Sequence, residues 1–142
     1  MRLWFTLTGA ALAIVAVTAA ATSARNGLVG AAPPVIALKH AQFGNVLARR
    51  DRQALYYWKV EKADFKVHCT GACARAWPPL IVRSRSAVPR RAPGVKGVLG
   101  TIRRPDGRLQ VTHNRLPVYT YAHERPGQVL CDNLDGWFVV RI

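Results

Sequence analysis

The chain has 142 residues, half of them hydrophobic, which allows one small domain with its own core and leaves little room for a second. Twenty-one Lys and Arg against seven acids give a net charge of +14 and a pI of about 11.1. Such a balance favours anionic partners and bears on solubility, not on fold, and so few acids leave little material for paired-carboxylate chemistry.

The N-terminus carries Arg2 as a short positive region, then an apolar or small run from Leu3 to Ala21, then Ala21-Thr22-Ser23-Ala24 before Arg25. This is the pattern of a secretory signal peptide, so residues 1–24 are expected to be removed by cleavage after Ala24. Cleavage after Ala21, or an uncleaved helix anchoring the chain in a bilayer, are the alternatives. No Cys stands near the junction, which excludes lipid attachment to a new N-terminal Cys. The expected location is therefore periplasmic or extracellular.

Residues 25–36 show neither helical nor strand periodicity and read as a flexible leader, with ordered structure expected to begin near Val35. The remaining segment, 37–142, is expected to be mainly β, built of antiparallel hairpins. Gly44–Ala48 reads as a strand, Arg49–Gln53 as a charged turn, and Ala54–Val60 as an aromatic strand that forms a hairpin with the first. Strand parity places Tyr56, Trp58 and Val60 on one face, the expected core face, and Leu55, Tyr57, Lys59 and Glu61 on the other. Cys69–Ala76 suits a short helical turn stopped by Pro78-Pro79. Arg83, Arg85, Arg90, Arg91 and Lys96, interleaved with Pro and Gly, mark residues 81–97 as a basic, mobile loop.

Val98–Ile102 and Leu109–Thr112 read as a hairpin around Arg104-Pro105-Asp106-Gly107, whose Asp-Gly pair suits a tight turn. His113–Arg115 turns again, Pro117–Tyr121 forms another strand, and Gly136–Ile142 closes the chain as a last one. No stretch after the N-terminal run has helical periodicity.

Two of these stretches echo each other. Leu55-Tyr56-Tyr57-Trp58-Lys59-Val60-Glu61 and Val118-Tyr119-Thr120-Tyr121-Ala122-His123-Glu124 both read apolar, Tyr, any residue, aromatic, two residues, Glu. All four tyrosines and both glutamates of the chain lie in them. An internal repeat follows, with a first unit at about residues 42–80 and a second at about 98–142. Tyr56 and Tyr119 are expected at equivalent places in two superimposable hairpins, with Trp58 and Tyr121 in the core.

These motifs resemble the paired Tyr-x-aromatic-x-x-Asp motifs of bacterial secreted repeat proteins, often described as predicted lipoproteins. Cys69-x-x-x-Cys73-x-x-x-Trp77-Pro78-Pro79-Leu80, Arg104-Pro105-Asp106-Gly107-x-x-Gln110-Val111-Thr112, Pro117-Val118-Tyr119 and Gly136-Trp137 extend the resemblance over roughly residues 42–142. Both motif acids are Glu where that family has Asp, the lipobox Cys is missing, and Cys131 is an addition. The resemblance implies an exported envelope domain, a Cys69–Cys73 pair, and no particular reaction.

Candidate site residues are few. The motif residues Tyr56, Trp58, Glu61, Tyr119, Tyr121 and Glu124 read first as packing, since a buried Tyr hydroxyl needs a partner that a Glu can supply. The sharper reading is an aromatic groove for a sugar or heterocycle. Cys69 and Cys73 suit a local disulfide in an oxidising compartment, with Cys131 left free, buried or bridging two chains. A Cys131 bond to Cys69 or Cys73 is the rival pairing. A metal or thiol-redox site at Cys69 and Cys73, completed by His68, His113 or His123, lacks the second Cys pair that makes zinc spacing persuasive.

No Ser-His-Asp order, glycine-rich phosphate loop or paired-carboxylate signature is present. No catalytic residue, metal or cofactor is assigned. The expected function is a non-enzymatic binding or structural module of the cell envelope. Its expected partner is an anionic lipid or polysaccharide rather than a specific nucleic acid, because the aromatics look committed to a core.

Overall fold

The computed structural model describes residues 32–142. The expected signal peptide and all but the end of the expected leader lie outside the described residues. The domain is mainly β, in small antiparallel sheets, with one short helix, α1 (Ala72–Ala76), beside the cysteines.

Two hairpins frame it. β1 (Val35–His40) and β2 (Gly44–Arg49) pair from Val35 opposite Arg49 to His40 opposite Gly44. Further along, β5 (Leu99–Arg103) and β6 (Leu109–His113) pair from Leu99 opposite His113 to Arg103 opposite Leu109. In the second turn the Gly107 N–H donates to the Arg104 carbonyl at 2.9 Å, and Gly107 takes φ +83°, where a side chain would be strained. Shorter strands follow each hairpin: β3 (Tyr56–Trp58) and β4 (Ile81–Val82) after the first, β7 (Leu116–Pro117) and β8 (Trp137–Val139) after the second. β7 returns from β6 through Asn114 and Arg115, both at positive φ (48° and 73°), which matches the twist of a two-residue hairpin loop.

The closing strands are exchanged between the repeats. β4, at the end of the first repeat, pairs with β6 of the second, while β8, at the end of the second, pairs with β3 of the first. Backbone bonds repeat the exchange pair by pair. Leu47 N–H donates to the Val140 carbonyl at 2.8 Å, and Val111 N–H donates to the Leu80 carbonyl at 2.9 Å. Leu55 donates to Leu47 and Val118 to Val111, at 2.9 and 3.1 Å. An approximate two-fold relation thus maps Leu47 on Val111, Leu55 on Val118, Tyr56 on Tyr119, and Leu80 on Val140.

Both faces of β2 are buried, so its alternate residues enter two cores. Val46 and Ala48 join Tyr56, Tyr119, Trp77, Trp137 and Val139 in one, and Leu47 joins Val35, Leu55, Leu99, Val111, Val118 and Val140 in the other. The single core face expected from strand parity is therefore corrected: Leu55 and Tyr56, on opposite faces, are both fully buried.

Three further expectations change. The main hairpin partner of β2 is β1, which starts at Val35 where order was expected to begin, and not the segment from Ala54, whose backbone meets β2 only through the Ala48–Ala54 bridge and two flanking bonds. The aromatic strand stops at Trp58, because Lys59–Lys62 winds into a 3-10 turn that exposes Val60 (49%) and buries Glu61 (0%), the reverse of the parity assignment. The basic segment 81–97 is anchored rather than free-running: Ile81 and Val82 form β4, and Val88, Ala92 and Val95 are buried in the second core.

Candidate functional site

The motif residues meet around the two-fold relation, and each repeat completes the other. Tyr56 and Tyr119 exchange both backbone hydrogen bonds at 2.8 and 2.9 Å. Their side chains then diverge. The Tyr56 hydroxyl donates to Glu124 Oε1 at 2.5 Å, and the Tyr119 hydroxyl donates to Glu61 Oε1 at 2.7 Å. Each glutamate also gathers backbone amides from the segment that follows it. Glu61 Oε1 accepts from His68 and Cys69 N–H at 2.8 and 3.3 Å, and Glu124 Oε1 accepts from Leu130 N–H at 2.6 Å. Cys131 thereby stands where the two-fold relation places Cys69.

Burial sets the electrostatics. Tyr56, Tyr119 and Glu61 are fully buried and Glu124 nearly so. Desolvation, and then the facing glutamate, push both tyrosine hydroxyls well above the ordinary tyrosine range. Desolvation also raises the Glu124 carboxyl, although Tyr56 and the Leu130 amide oppose it. The second oxygen of each glutamate, Oε2, is buried with no hydrogen-bond partner in the protein. The network ties the two repeats together through groups that solvent does not reach.

A row of four aromatic rings, three of them stacked, crosses the same centre. Trp77 and Trp137 lie 3.9 Å apart at an interplanar angle of 8°. Trp58 stacks on Trp137 at 5.5 Å, and Tyr121 packs on Trp77 at 4.8 Å with its ring tilted by 36°. Tyr56 and Tyr119 each present an edge to the indole of their own repeat, Trp77 and Trp137, at 5.3 and 5.2 Å. The rings expected to occupy the core, Trp58 and Tyr121, are its half-buried flanks; Tyr56, Tyr119, Trp77 and Trp137 form its centre. A strand-end position next to the 3-10 turn leaves the outer face of Trp58 uncovered.

Cys69 and Cys73 form a disulfide at the start of α1, and Cys131 is free and buried. The metal alternative finds little material. His68 pairs with Asp64 on an exposed turn, His113 lies within hydrogen-bond distance (2.7 Å) of the Lys96 carbonyl, and His123 is exposed against Tyr121. Among the described residues, no three His, Cys, Asp or Glu side chains gather closely enough to hold a metal ion.

The charged surface is lopsided. Glu61 and Glu124 are buried, and Asp51, Asp64, Asp106 and Asp132 are each engaged by a nearby basic side chain. Arg108 holds Asp106 at a pKa of about 2 through two guanidinium bonds and its own amide. Arg83, Arg85, Arg90, Arg91 and Lys96 are exposed and enter no ion pair among the described residues.

Sequence reasoning missed two features. The equivalence of Trp77 with Trp137 was readable, since each follows its motif Glu at a similar distance. Buried Arg104 was not foreseen; the clue was Gln110, set between the apolar Leu109 and Val111 of β6. Comparison with protein-family models, curated proteins and solved structures finds no match to this chain.

Proposed function

We propose that this chain is an exported envelope module, built like the secreted repeat proteins it resembles, that binds an anionic surface polymer without catalysing a reaction. The observation that carries this reading is the basic segment 83–97. Its apolar residues Val88, Ala92 and Val95 are fastened in the core, so Arg83, Arg85, Arg90, Arg91 and Lys96 are presented from an anchored loop with no acid to neutralise them. Fixed like charges lose less conformational freedom on binding than a floppy tail would. Of the acids elsewhere, all but the exposed Asp135 are buried or locally paired, and they offer little competing attraction.

Binding carried by charge weakens as salt shortens the screening length. Sedimentation with anionic vesicles and with an acidic polysaccharide, over a series of salt concentrations, tests it. Binding should fall steeply with salt and be largely lost when Arg83, Arg85, Arg90 and Arg91 are all changed to Glu. Binding indifferent to both would overturn the reading.

A further inference from the structure

The two-fold relation supplies an internal control. The first repeat builds its hairpin with His40 at the turn and Val46 in the strand; the register places Arg104 and Gln110 at those positions in the second. His40 only caps its own turn, its Nδ1 accepting from the Gln42 and Phe43 amides. Arg104 instead runs inward until its side chain is 2% exposed. Its Nη1 donates to Gln110 Oε1 at 2.5 Å and its Nη2 to the Cys69 carbonyl at 2.8 Å. Its Nε has no hydrogen-bond partner and lies 3.6 Å from Asp106 Oδ2. A buried guanidinium held mainly by neutral acceptors is unfavourable by desolvation, and the same hairpin stands in the first repeat without it.

Arg104 lines a cavity of about 330 Å³ that also contains Thr70, Gly71, Arg75, Asp106 and Arg108. The two-fold relation puts His40, Gly44 and Asp135 where Arg104, Arg108 and Arg75 stand, so the basic cluster exists on one side only. Asp106 grips Arg108 through Nε and Nη2 at 3.0 and 2.7 Å, which orients that guanidinium rather than neutralising the cluster. Three guanidinium groups against one carboxylate leave an excess of two positive charges in one cavity.

We propose that this cavity is a binding site for a dianionic tetrahedral oxyanion, a phosphate group carried as a free ion, a soluble ester or a lipid headgroup. Arg75 and Arg108 at the rim contact the anion, Thr70 offers a hydroxyl, and Arg104 supplies fixed charge beneath it. Arginine suits this task because its planar fork matches phosphate oxygens. The site is independent of segment 83–97 and of the polymer binding proposed for it.

The test is a titration of the isotope-labelled protein with inorganic phosphate at constant ionic strength, followed by amide resonances. Saturable shifts centred on Thr70, Gly71 and Arg108 are expected, and Arg75→Gln or Arg108→Gln should weaken binding about tenfold, the loss of one charge-assisted contact. The combined Arg83, Arg85, Arg90 and Arg91 to Glu variant should keep the response, which separates this site from the polymer reading. Competition by a sugar phosphate, or by phosphatidate vesicles, then identifies the carrier. Shifts that are absent, that chloride reproduces, or that survive both rim substitutions would overturn the proposal. Both rim arginines are exposed, so the variants keep the buried Arg104 network; an unchanged melting temperature verifies this.

Discussion

Tyr56 and Tyr119 face each other across an antiparallel bridge, each accepting and donating one backbone bond, while each sends its hydroxyl to the glutamate of the other's motif. The motif that reads as a local unit, Tyr followed five residues later by Glu, is therefore wired crosswise. Sequence proximity pairs Tyr56 with Glu61; the fold pairs it with Glu124.

Double-mutant cycles read this wiring directly. Tyr56→Phe strands a nearly buried carboxylate and should destabilise by about 1–3 kcal/mol. Coupling between Tyr56→Phe and Glu124→Gln should reach about 0.5–3 kcal/mol, while Tyr56→Phe and Glu61→Gln should add to within about 0.5 kcal/mol. Denaturant melts of the single and double variants measure both. Coupling found within a motif instead of across would disprove the crosswise bonds.

The buried hydroxyls make the fold sensitive to alkali. Both tyrosine pKa values are raised by folding above the ordinary 10.0. The folded state then holds these protons more tightly than the unfolded chain does. Their stabilisation is complete below pH 10 and is lost as the pH rises through the raised folded values. Stability should fall with pH above 10, and Tyr56→Phe or Tyr119→Phe should flatten that fall. Equal slopes in wild type and variants, from chemical melts across the alkaline range, would remove the tyrosines from the explanation.

The aromatic stack ranks its own members. Trp137 is 4% exposed and touches Trp58, Trp77 and Tyr119, so Trp137→Ala should cost about 3–5 kcal/mol. Trp58 packs from the flank, with its indole N–H reaching the Asp135 carbonyl at 3.3 Å, and Trp58→Ala should cost less. A Trp58 variant as damaged as the Trp137 variant would place it in the core after all.

Cys131 should be chemically quiet. It is 5% exposed and its thiol pKa is pushed up by burial and by Glu124, two conditions that suppress the reactive thiolate. A thiol reagent should leave the native protein unmodified and label one cysteine per chain once denaturant is added. Peptide mapping should recover Cys69 linked to Cys73. A chain-to-chain Cys131 disulfide formed under native conditions would contradict this burial.

Local chemistry was legible in the sequence. The turn at Arg104–Gly107 and the β5–β6 hairpin follow from Asp-Gly between two apolar-rich runs, and the Cys69–Cys73 bond is the pairing that short spacing favours. The echo between the two motifs was visible because rare residues, four Tyr and two Glu, recur in both. What sequence did not disclose is which chain segments meet. Alternation along 54–60 could not reveal that Leu55 and Tyr56, on opposite faces, are both buried, because that depends on segments distant in the chain, among them β8 (Trp58 opposite Trp137, Tyr56 opposite Val139). Glu61 illustrates the same limit. Its charge suggested a solvent face, and only the 3-10 turn and the distant Tyr119 hydroxyl make its burial tolerable.

The exchange of β4 and β8 has a consequence for what counts as the folding unit. A single repeat possesses a tyrosine hydroxyl without its acceptor, a glutamate without its donor, and a hairpin without its closing strand. Every one of these needs is met by a second copy of the same motif, as in a dimer whose subunits swap their ends. In this chain the two halves are joined head to tail through residues 83–97, so association is intramolecular and independent of concentration. A cut within that segment should leave two pieces that remain bound to each other, neither of them a domain alone.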